Sequence, residues 1–282
     1  MNRGNEIMEN RSRIMQLKLL EMLKWFHKLC EDNNIRYYAL GGTMLGAVRH
    51  GGFIPWDDDI DVGIPRKDYI RLIRLMQKHS DDRYILETPL SEDPTFCYPY
   101  SKLYDTKTTL LENSNKKLKR GLFIDVFPLD MIGDSMEKAL KNYKKIKALR
   151  DLVTLRTLSD SKDRSAVKKA VVRTVQAVPS VLVSEKHICI YLEKICTEYS
   201  KHGYKFGGNL HGAWGAKELM SFDIMGKPTL YRFEDTYIYG AENYDEYLTH
   251  LYGNWNELPP EDKRVSHHDF LLFDLDKPYA ED

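Results

Sequence analysis

Residues 37–65 of this 282-residue chain are YYALGGTMLGAVRHGGFIPWDDDIDVGIP, and this stretch decides the fold. Residues 35–40, IRYYAL, are β-branched and aromatic enough to predict a strand, which the Gly41-Gly42 pair ends sharply before a short helix. After a second glycine pair, polar and apolar residues alternate over positions 59–64. Such alternation is the period of a strand with one acidic face, so the stretch predicts strand, helix and strand in succession.

Two carboxylates share a face of the second predicted strand. Alternate strand residues point the same way, so Asp59 and Asp61 are expected about 6–7 Å apart. Carboxylate oxygens held this close suit Mg²⁺ or Mn²⁺, which bind one or two carboxylates together with substrate phosphates. Asp57 is in phase with the pair and is a further candidate ligand, whereas Asp58 is expected to point oppositely and to cap or be solvated. A solvated acidic turn is the rival interpretation, disfavoured because the run lies in an apolar strand.

A third carboxylate interrupts a later apolar segment, GLFIDVFPLD, at residues 121–130. Ile124 and Val126 require burial, so Asp125 between them is expected to face the other way. Three carboxylates on neighbouring strands form a template for one or two metal ions in phosphoryl or nucleotidyl transfer. The predicted catalytic residues and metal ligands are therefore Asp59, Asp61 and Asp125.

Glycine and basic residues near these acids are the candidates for substrate binding. Gly41, Gly42 and Thr43 open the short helix, where backbone N–H groups and the helix dipole favour a phosphate. Arg49 ends that helix and would either neutralise a diphosphate or complement the helix dipole. The other basic candidates are Lys102, in YPYSKLYD, and Arg120, just before the strand that carries Asp125.

The composition is that of an ordinary globular protein, 42% hydrophobic and 30% charged. Because 42 Lys and Arg balance 42 Asp and Glu, the total charge gives no indication of nucleic-acid binding. Four scattered cysteines without a CxxC pair fit a reducing cytosol. An apolar leader and a run of roughly eighteen apolar residues are both missing, so neither secretion nor membrane spanning is expected.

Positive charge concentrates in one part of the chain. Residues 138–173 contain twelve Lys and Arg against three Asp, a net charge of +9 that the remainder balances at −9. Helical patterning extends over about 134–200, which predicts a basic helical insertion. Its cations have three interpretations: a solvated helix face, a docking surface for anionic lipid at a membrane, or a channel for a phosphorylated glycan acceptor.

The predicted fold class is α/β (α+β), a mixed sheet flanked by helices. A long amphipathic N-terminal helix ending near residues 33–34 is expected to place its apolar stripe in the core. Residues 1–282 are expected to form a single catalytic domain that carries the insertion at about 134–200.

Residues 37–65 resemble the signature of the LicD family, bacterial phosphocholine transferases related to the fukutin-type phosphoribitol transferases. GLFIDVFPLD at 121–130 and YDEYLTHLYGNWNELPPEDKR at 244–264 support the resemblance. It implies a nucleotidyltransferase-like fold, in which a glycine turn precedes an acidic pair and a third carboxylate follows on a later strand. The residues that match this pattern are Gly41 and Gly42 for the turn, Asp59 and Asp61 for the metal-binding pair, and Asp125 for the third acid. The gap from Gly42 to Asp59 is longer than the usual family pattern.

The resemblance implies transfer of phosphocholine from CDP-choline to a hydroxyl of a cell-surface glycan or lipid-linked glycan precursor, such as teichoic acid or lipopolysaccharide, with release of CMP. Asp59 and Asp61 would hold Mg²⁺ on the diphosphate, and Asp125 would share a metal and help to deprotonate the acceptor. The reaction would take place in the cytoplasm, at the inner face of the cell membrane. Ribitol, glycerol and ethanolamine remain alternatives to choline as the transferred alcohol.

A choline head group would be bound by aromatic rings, since a quaternary ammonium is attracted to their faces. The candidates near the motifs, each equally explained by packing, are Trp56, Tyr98, Tyr100, Trp214, Tyr252 and Trp255. Two rival functions stay open. A nucleotide-sugar glycosyltransferase is disfavoured by the glycine pair before the acids, and a non-catalytic relative is disfavoured because all three acids are present.

Overall fold

The computed structural model describes residues 3–79, 82–112, 118–159, 165–179, 184–265 and 270–280. Its helices are α1 (Arg3–Asp32), α2 (Gly41–His50), α3 (Arg66–Met76), α4 (Met136–Thr157), α5 (Ala166–Ala177), α6 (Glu185–Tyr199) and α7 (Tyr244–Tyr252). Its strands are β1 (Tyr38–Ala39), β2 (Asp61–Pro65), β3 (Tyr84–Glu87), β4 (Ser101–Glu112), β5 (Lys119–Gly133), β6 (Phe206–Asn209), β7 (Leu219–Ser221), β8 (Thr229–Phe233), β9 (Thr236–Gly240) and β10 (Phe270–Asp274).

Strand β5 is the centre of a mixed sheet. It runs parallel to β2 and antiparallel to β4 and β6, while β1, β3, β7 and β10 extend the sheet outward. Strands β8 and β9 form a separate hairpin. Almost every side chain from residue 121 to 130 is buried, as a strand covered on both faces requires. The predicted class, a mixed α/β sheet flanked by helices, is confirmed.

Helix α1 supplies one side of the main core. The residues of its inward stripe, each at most 1% exposed, are Leu19, Met22, Leu23, Phe26 and Cys30. Burying a large aliphatic or aromatic side chain contributes about 1.5–3 kcal/mol, so this stripe fixes the helix against the sheet. The prediction that an apolar stripe of this helix lies in the core is confirmed for Leu20, Leu23, Phe26 and Cys30, whereas Ile14 and Leu17, which share the helical spacing, are 46% and 47% exposed. The helix ends at Asp32, close to the expected position.

Helices α4, α5 and α6 follow one another between β5 and β6, where a helical insertion was predicted. Helices α4 and α6 share a second, smaller core with β5 and with the segment from β6 to β7, whose buried members are Ile132, Ala139, Tyr143, Ile146, Leu192, Cys196, Leu210 and Leu219. Helix α5 ends at Ala177, two residues before Pro179, as expected of a residue that cannot continue a helix. The assignment of the whole chain to a single domain stays a prediction.

Candidate active site

Asp61 and Asp125 are register partners on adjacent parallel strands. Asp61 is the first residue of β2 and pairs with Asp125 in β5, whose backbone N–H donates to the carbonyl oxygen of Ile60 at 2.9 Å. The backbone of Asp61 is held on both sides. Its N–H donates to Thr43 Oγ1 at 2.9 Å, and its carbonyl oxygen accepts from the N–H of Leu40 at 3.0 Å. The pairing of β2 with β5 therefore places the two carboxylates side by side on a rigid backbone.

A second acidic group precedes β2. Asp57, Asp58 and Asp59 each offer one carboxylate oxygen, and these three oxygens lie within 4.8 Å of one another. The expectation that Asp58 points away from its neighbours is wrong. The extended pairing begins only at Asp61, so the alternation of a strand does not apply to residues 57–59, and Asp58 is 7% exposed. The loop is anchored by Gln16 Nε2, which donates to the carbonyl oxygen of Asp57 at 2.8 Å.

The acids form a strongly negative environment. Burial raises the pKa of Asp61 well above its usual range, and the charges of Asp59, Asp125 and Asp57 raise it further, in that order. Burial also raises the pKa of Asp125, although Lys102 acts against this rise. The negative charge of Asp59 contributes to both shifts, so the three predicted acids lie close enough to interact. Such a set is stabilised by a bound cation.

The beginning of α2 lies directly against these carboxylates. A side-chain carbon at Gly42 would lie 2.5 Å from Asp57 Oδ2, so a larger residue there would displace the Asp57 carboxylate. Gly41 has a φ of +48°, and its N–H donates to the hydroxyl of Tyr247 at 3.0 Å. The positive end of the helix dipole therefore stabilises the acids. The predicted contact of Gly41 and Gly42 with a phosphate stays a prediction.

The other predicted substrate-binding side chains contact protein groups. Lys102 is 3% exposed, and its ammonium lies 2.9 Å from Asp125 Oδ1 and 3.8 Å from Glu112 Oε1. Thr43 supports the backbone of Asp61, as described above. Arg49 Nη1 donates to the carbonyl oxygen of Trp255 at 2.8 Å. The guanidinium of Arg120 pairs with two acids on neighbouring segments, Glu87 and Asp93. The structure therefore brings Lys102 to the predicted acids, whereas Arg49 and Arg120 hold other segments.

Two buried titratable residues near the acids come from the segment between β6 and β7. Glu218 is 5% exposed; burial raises its pKa to about 7, and its charge acts on Asp61. His211 is also buried, and burial lowers its pKa to about 3. Neither residue lies in a recognisable motif, and both are more than 80 positions from Asp125, so sequence alone provides no signal for their placement.

A mixed sheet with carboxylates on adjacent strands and a glycine-initiated helix is the arrangement expected from the resemblance to nucleotidyltransferase-like proteins. Residues 34–154 match the family described as LicD/FKTN/FKRP, nucleotidyltransferase domain. This match confirms the predicted resemblance to the LicD family over residues 34–154.

Three proteins with similar sequences align with very different lengths of this chain. Lipopolysaccharide cholinephosphotransferase LicD of Haemophilus influenzae is 28% identical over 272 residues, which are 91% of this chain and 95% of that protein. Human ribitol 5-phosphate transferase FKRP is 44% identical over 50 residues, 18% of this chain and 10% of that protein. Mannosyltransferase regulator 4 of Saccharomyces cerevisiae is 28% identical over 111 residues, 39% of this chain and 9% of that protein. The first two are transferases of a phosphorylated alcohol.

Proposed function

We propose that this protein transfers a phospho-alcohol group, phosphocholine from CDP-choline, to a hydroxyl of a glycan or lipid-linked glycan. The observation that carries the proposal is the similarity to a lipopolysaccharide cholinephosphotransferase over nine-tenths of the chain. The acceptor oxygen forms a bond to the phosphorus that carries choline. The bond from that phosphorus to the CMP oxygen breaks, and the acceptor proton passes to a base on the protein.

A divalent cation fits the acidic residues. Three carboxylate oxygens converge within 4.8 Å in Asp57–Asp59, and the raised pKa of Asp61 reflects the negative charge concentrated around it. Asp59 and Asp61 are proposed to hold Mg²⁺ or Mn²⁺, with Asp125 completing the site and Asp57 and Asp58 close enough to take part. When bound, such an ion neutralises the charge of the diphosphate.

Asp125 is the proposed base for the acceptor hydroxyl. It lies beside Asp61, and burial raises its pKa, so it is a stronger base than an exposed aspartate. The ammonium of Lys102, 2.9 Å away, holds the carboxylate in place and limits the rise in its pKa. The rigid backbone contacts of Asp61 with Thr43 and Leu40 keep the acids in position, which favours in-line attack.

Release of CMP is the test of this reaction. Purified protein with CDP-choline, Mg²⁺ and a lipopolysaccharide or lipid-linked glycan acceptor is expected to yield CMP and acceptor heavier by one phosphocholine. Chromatography of nucleotides and mass spectrometry of the acceptor measure the two products. Excess chelator is expected to stop the reaction, and added Mg²⁺ or Mn²⁺ to restore it, because the acids need a counter-charge. Release of UDP from UDP-sugars, with none from CDP-choline, would contradict the proposal.

The exposed surface of helix α5 supports the proposal that the protein acts at the inner face of the cell membrane. Within the described residues, no helix is both long and apolar enough to cross a bilayer. Helix α5 lies in the basic insertion and presents an outward stripe at helical spacing, with Val167 74% and Val171 48% exposed. Lys168 and Arg173 are exposed on the same helix. Valines flanked by cations are typical of a helix that rests on an anionic lipid surface.

Flotation of the protein with vesicles tests this surface. Wild type is expected to float with vesicles that contain phosphatidylglycerol and to remain in solution with phosphatidylcholine alone, because the cations need anionic lipid. In the double variant Val167→Glu/Val171→Glu, the fraction of protein that floats with the vesicles is expected to fall at least about tenfold, because the substitutions place charge in the apolar stripe. Leu90→Glu, at a site that is 55% exposed outside the insertion, serves as the matched control. Equal flotation of the double variant and wild type would contradict the membrane surface.

A further inference from the structure

A cavity of about 470 Å³ lies between the beginning of β4 and helix α4 of the basic insertion. Its lining includes Tyr100 just before β4, Val153 and Thr154 on α4, and His211 from the segment between β6 and β7. A cavity of this volume is large enough for one sugar ring. These four side chains have no role in the steps proposed for the acids and the diphosphate.

His211 has unused hydrogen-bonding capacity at the wall of this cavity. It is 8% exposed, and neither ring nitrogen has a hydrogen-bond partner within the part of the chain that the structure describes. Its position is fixed, because Arg150 Nη1 donates to the carbonyl oxygens of Leu210 and Gly212 on either side of it, both at 3.1 Å. Buried polar atoms without partners are rare, so an occupant of the cavity is expected to satisfy the two nitrogens.

The protonation state of His211 indicates which chemical groups fit. Burial and the nearby charges of Arg66 and Arg150 lower its pKa to about 3, so the ring is neutral near pH 7. A neutral imidazole has one N–H that donates and one nitrogen that accepts. A hydroxyl both donates and accepts, whereas a phosphate dianion only accepts. Hydroxyl groups can therefore satisfy both nitrogens of the ring.

The charges at the described walls of the cavity balance one another. The groups concerned are Lys102 with Asp125 and Glu112, and Asp151 with Lys147 and Arg150. Three cations thus face three acids, and each cation has a carboxylate partner. An occupant without charge leaves this balance intact, whereas a phosphate would give up its water without gaining a counter-charge on these walls.

The wall formed by α4 offers hydroxyl groups as acceptors. Thr154 Oγ1 donates to the carbonyl oxygen of Arg150 at 3.1 Å, and Thr157 Oγ1 donates to that of Val153 at 3.1 Å. Each threonine uses its single O–H in this way and keeps lone pairs that can accept from a ligand hydroxyl. The α4 wall is therefore suited to a group that donates several hydrogen bonds.

The cavity borders the acid that is proposed as the base. Burial raises the pKa of Tyr100 well above its usual range, and the charges of Asp125, Glu112 and Asp61 raise it further, in that order. Lys102 contacts both Asp125, at 2.9 Å, and Glu112, which lines the cavity, at 3.8 Å. An acceptor held in the cavity would therefore lie beside Asp125.

We propose that this cavity binds an uncharged sugar unit of the acceptor, with His211 and Thr154 as its hydrogen-bonding partners on opposite walls. The inference rests on the proposed function and deepens it, because it assigns the acceptor to one cavity and names its class. The acceptor unit at this position is a neutral sugar and not a phosphorylated one.

An NMR titration without donor tests the cavity, with the protein labelled at its histidine ring nitrogens. The probes are methyl glucoside, methyl galactoside and methyl mannoside, each compared with the corresponding sugar phosphate. Chelator is present so that no metal ion holds a phosphate at the acids. At least one glycoside is expected to shift both ring signals of His211 and to bind at least about tenfold more tightly than its phosphate, because the phosphate finds no counter-charge.

Substitutions on the two walls separate recognition from damage to the fold, with binding measured from the signals of the glycoside. His211→Leu is expected to weaken glycoside binding at least about tenfold, and His211→Gln to recover part of the loss, because an amide also donates and accepts. Thr154→Val, at an exposed site on the other wall, is expected to weaken it about threefold.

Matched controls lie outside the cavity. Thr174 is exposed on α5, and its Oγ1 donates to the carbonyl oxygen four residues earlier, as that of Thr154 does. His187 is exposed on α6. Thr174→Val and His187→Leu are both expected to bind the glycoside as wild type does.

Three results would overturn the assignment: no glycoside that shifts the His211 signals, equal affinity for glycoside and phosphate, or unchanged affinity in His211→Leu and Thr154→Val. The proposed function fails in a different way, by the absence of CMP release in the product assay. Glycoside binding without turnover would support the sugar site and contradict the reaction, whereas turnover without glycoside binding would do the reverse.

Discussion

Replacement of Asp61 by Asn is expected to lower kcat for CMP release by at least about a thousandfold. The carboxylate is the first residue of β2, pairs in register with Asp125 and shares the charge environment of Asp59. An amide keeps the shape but removes the negative charge needed to hold a divalent cation on the diphosphate. Removal of one preorganised electrostatic contact commonly costs about a hundred- to a thousandfold in rate, and loss of a metal ligand adds to that cost. Nucleotide chromatography measures the rate.

The same variant is expected to be as stable as wild type, or more stable, in the presence of chelator. Burial and neighbouring acids raise the pKa of Asp61, so its contribution to stability is complete below the ordinary carboxyl pKa and is lost as pH rises through the folded-state pKa. Asn removes this loss, and the difference in free energy of unfolding between Asp61→Asn and wild type should grow as pH rises above the ordinary carboxyl pKa. Asp32→Asn, at the last residue of α1, is the control for both the rate of CMP release and the free energy of unfolding. Turnover near that of wild type would remove Asp61 from the site.

Replacement of Arg66 by Ala is expected to lower the free energy of unfolding by about 3–5 kcal/mol, the usual cost of breaking a buried ion pair. Arg66 is 4% exposed and donates to both carboxylate oxygens of Asp130, at 2.8 and 2.6 Å, and to Glu193 at 2.5 Å. These contacts join α3 to β5 and to α6 of the insertion. Loss of the guanidinium leaves two buried carboxylates without their cation. Urea titration at pH 7 measures the effect.

The destabilisation should depend on pH in a defined direction. Burial raises the pKa of Glu193 and the Arg66 guanidinium opposes this rise, so loss of Arg66 favours the protonated form of Glu193 in the folded state. The penalty is therefore small at low pH, where Glu193 is protonated, and grows as pH increases. Arg66→Lys is expected to recover only part of the loss, because an ammonium cannot donate two parallel hydrogen bonds to Asp130.

The control for this network is Arg71→Ala. The half-exposed side chain of Arg71 pairs with Asp68, and its loss should cost at most about 1 kcal/mol. A loss below about 1 kcal/mol for Arg66→Ala would contradict the role of the buried network, because it would equal the cost of an exposed pair.

The strands of the candidate site that sequence predicted correctly are those with a local signal. Alternation of Ile60, Val62 and Ile64 with polar residues placed β2, and the apolar flanks of Asp125 placed β5. The error at Asp58 has the same origin, because a periodic argument was extended over residues 57–59, where the chain forms a loop. Lys102 lies beside Asp125 because β4 runs antiparallel to β5 and these two residues are register partners. Its predicted contact with substrate stays a prediction.

By itself, the sequence determined the long first helix, the strand, helix and strand around residues 37–65, the basic insertion and the resemblance to a family, because periodicity and short motifs depend on neighbouring residues. Only the tertiary structure decided that Glu218 acts on Asp61, that Arg66 joins three elements and that Glu112, Tyr98 and His211 share a cavity. These contacts join residues from 14 to 157 positions apart, and no local pattern specifies which of many polar side chains will meet. Burial then sets their chemistry, because removal of water strengthens each charge and raises the cost of leaving it unpaired.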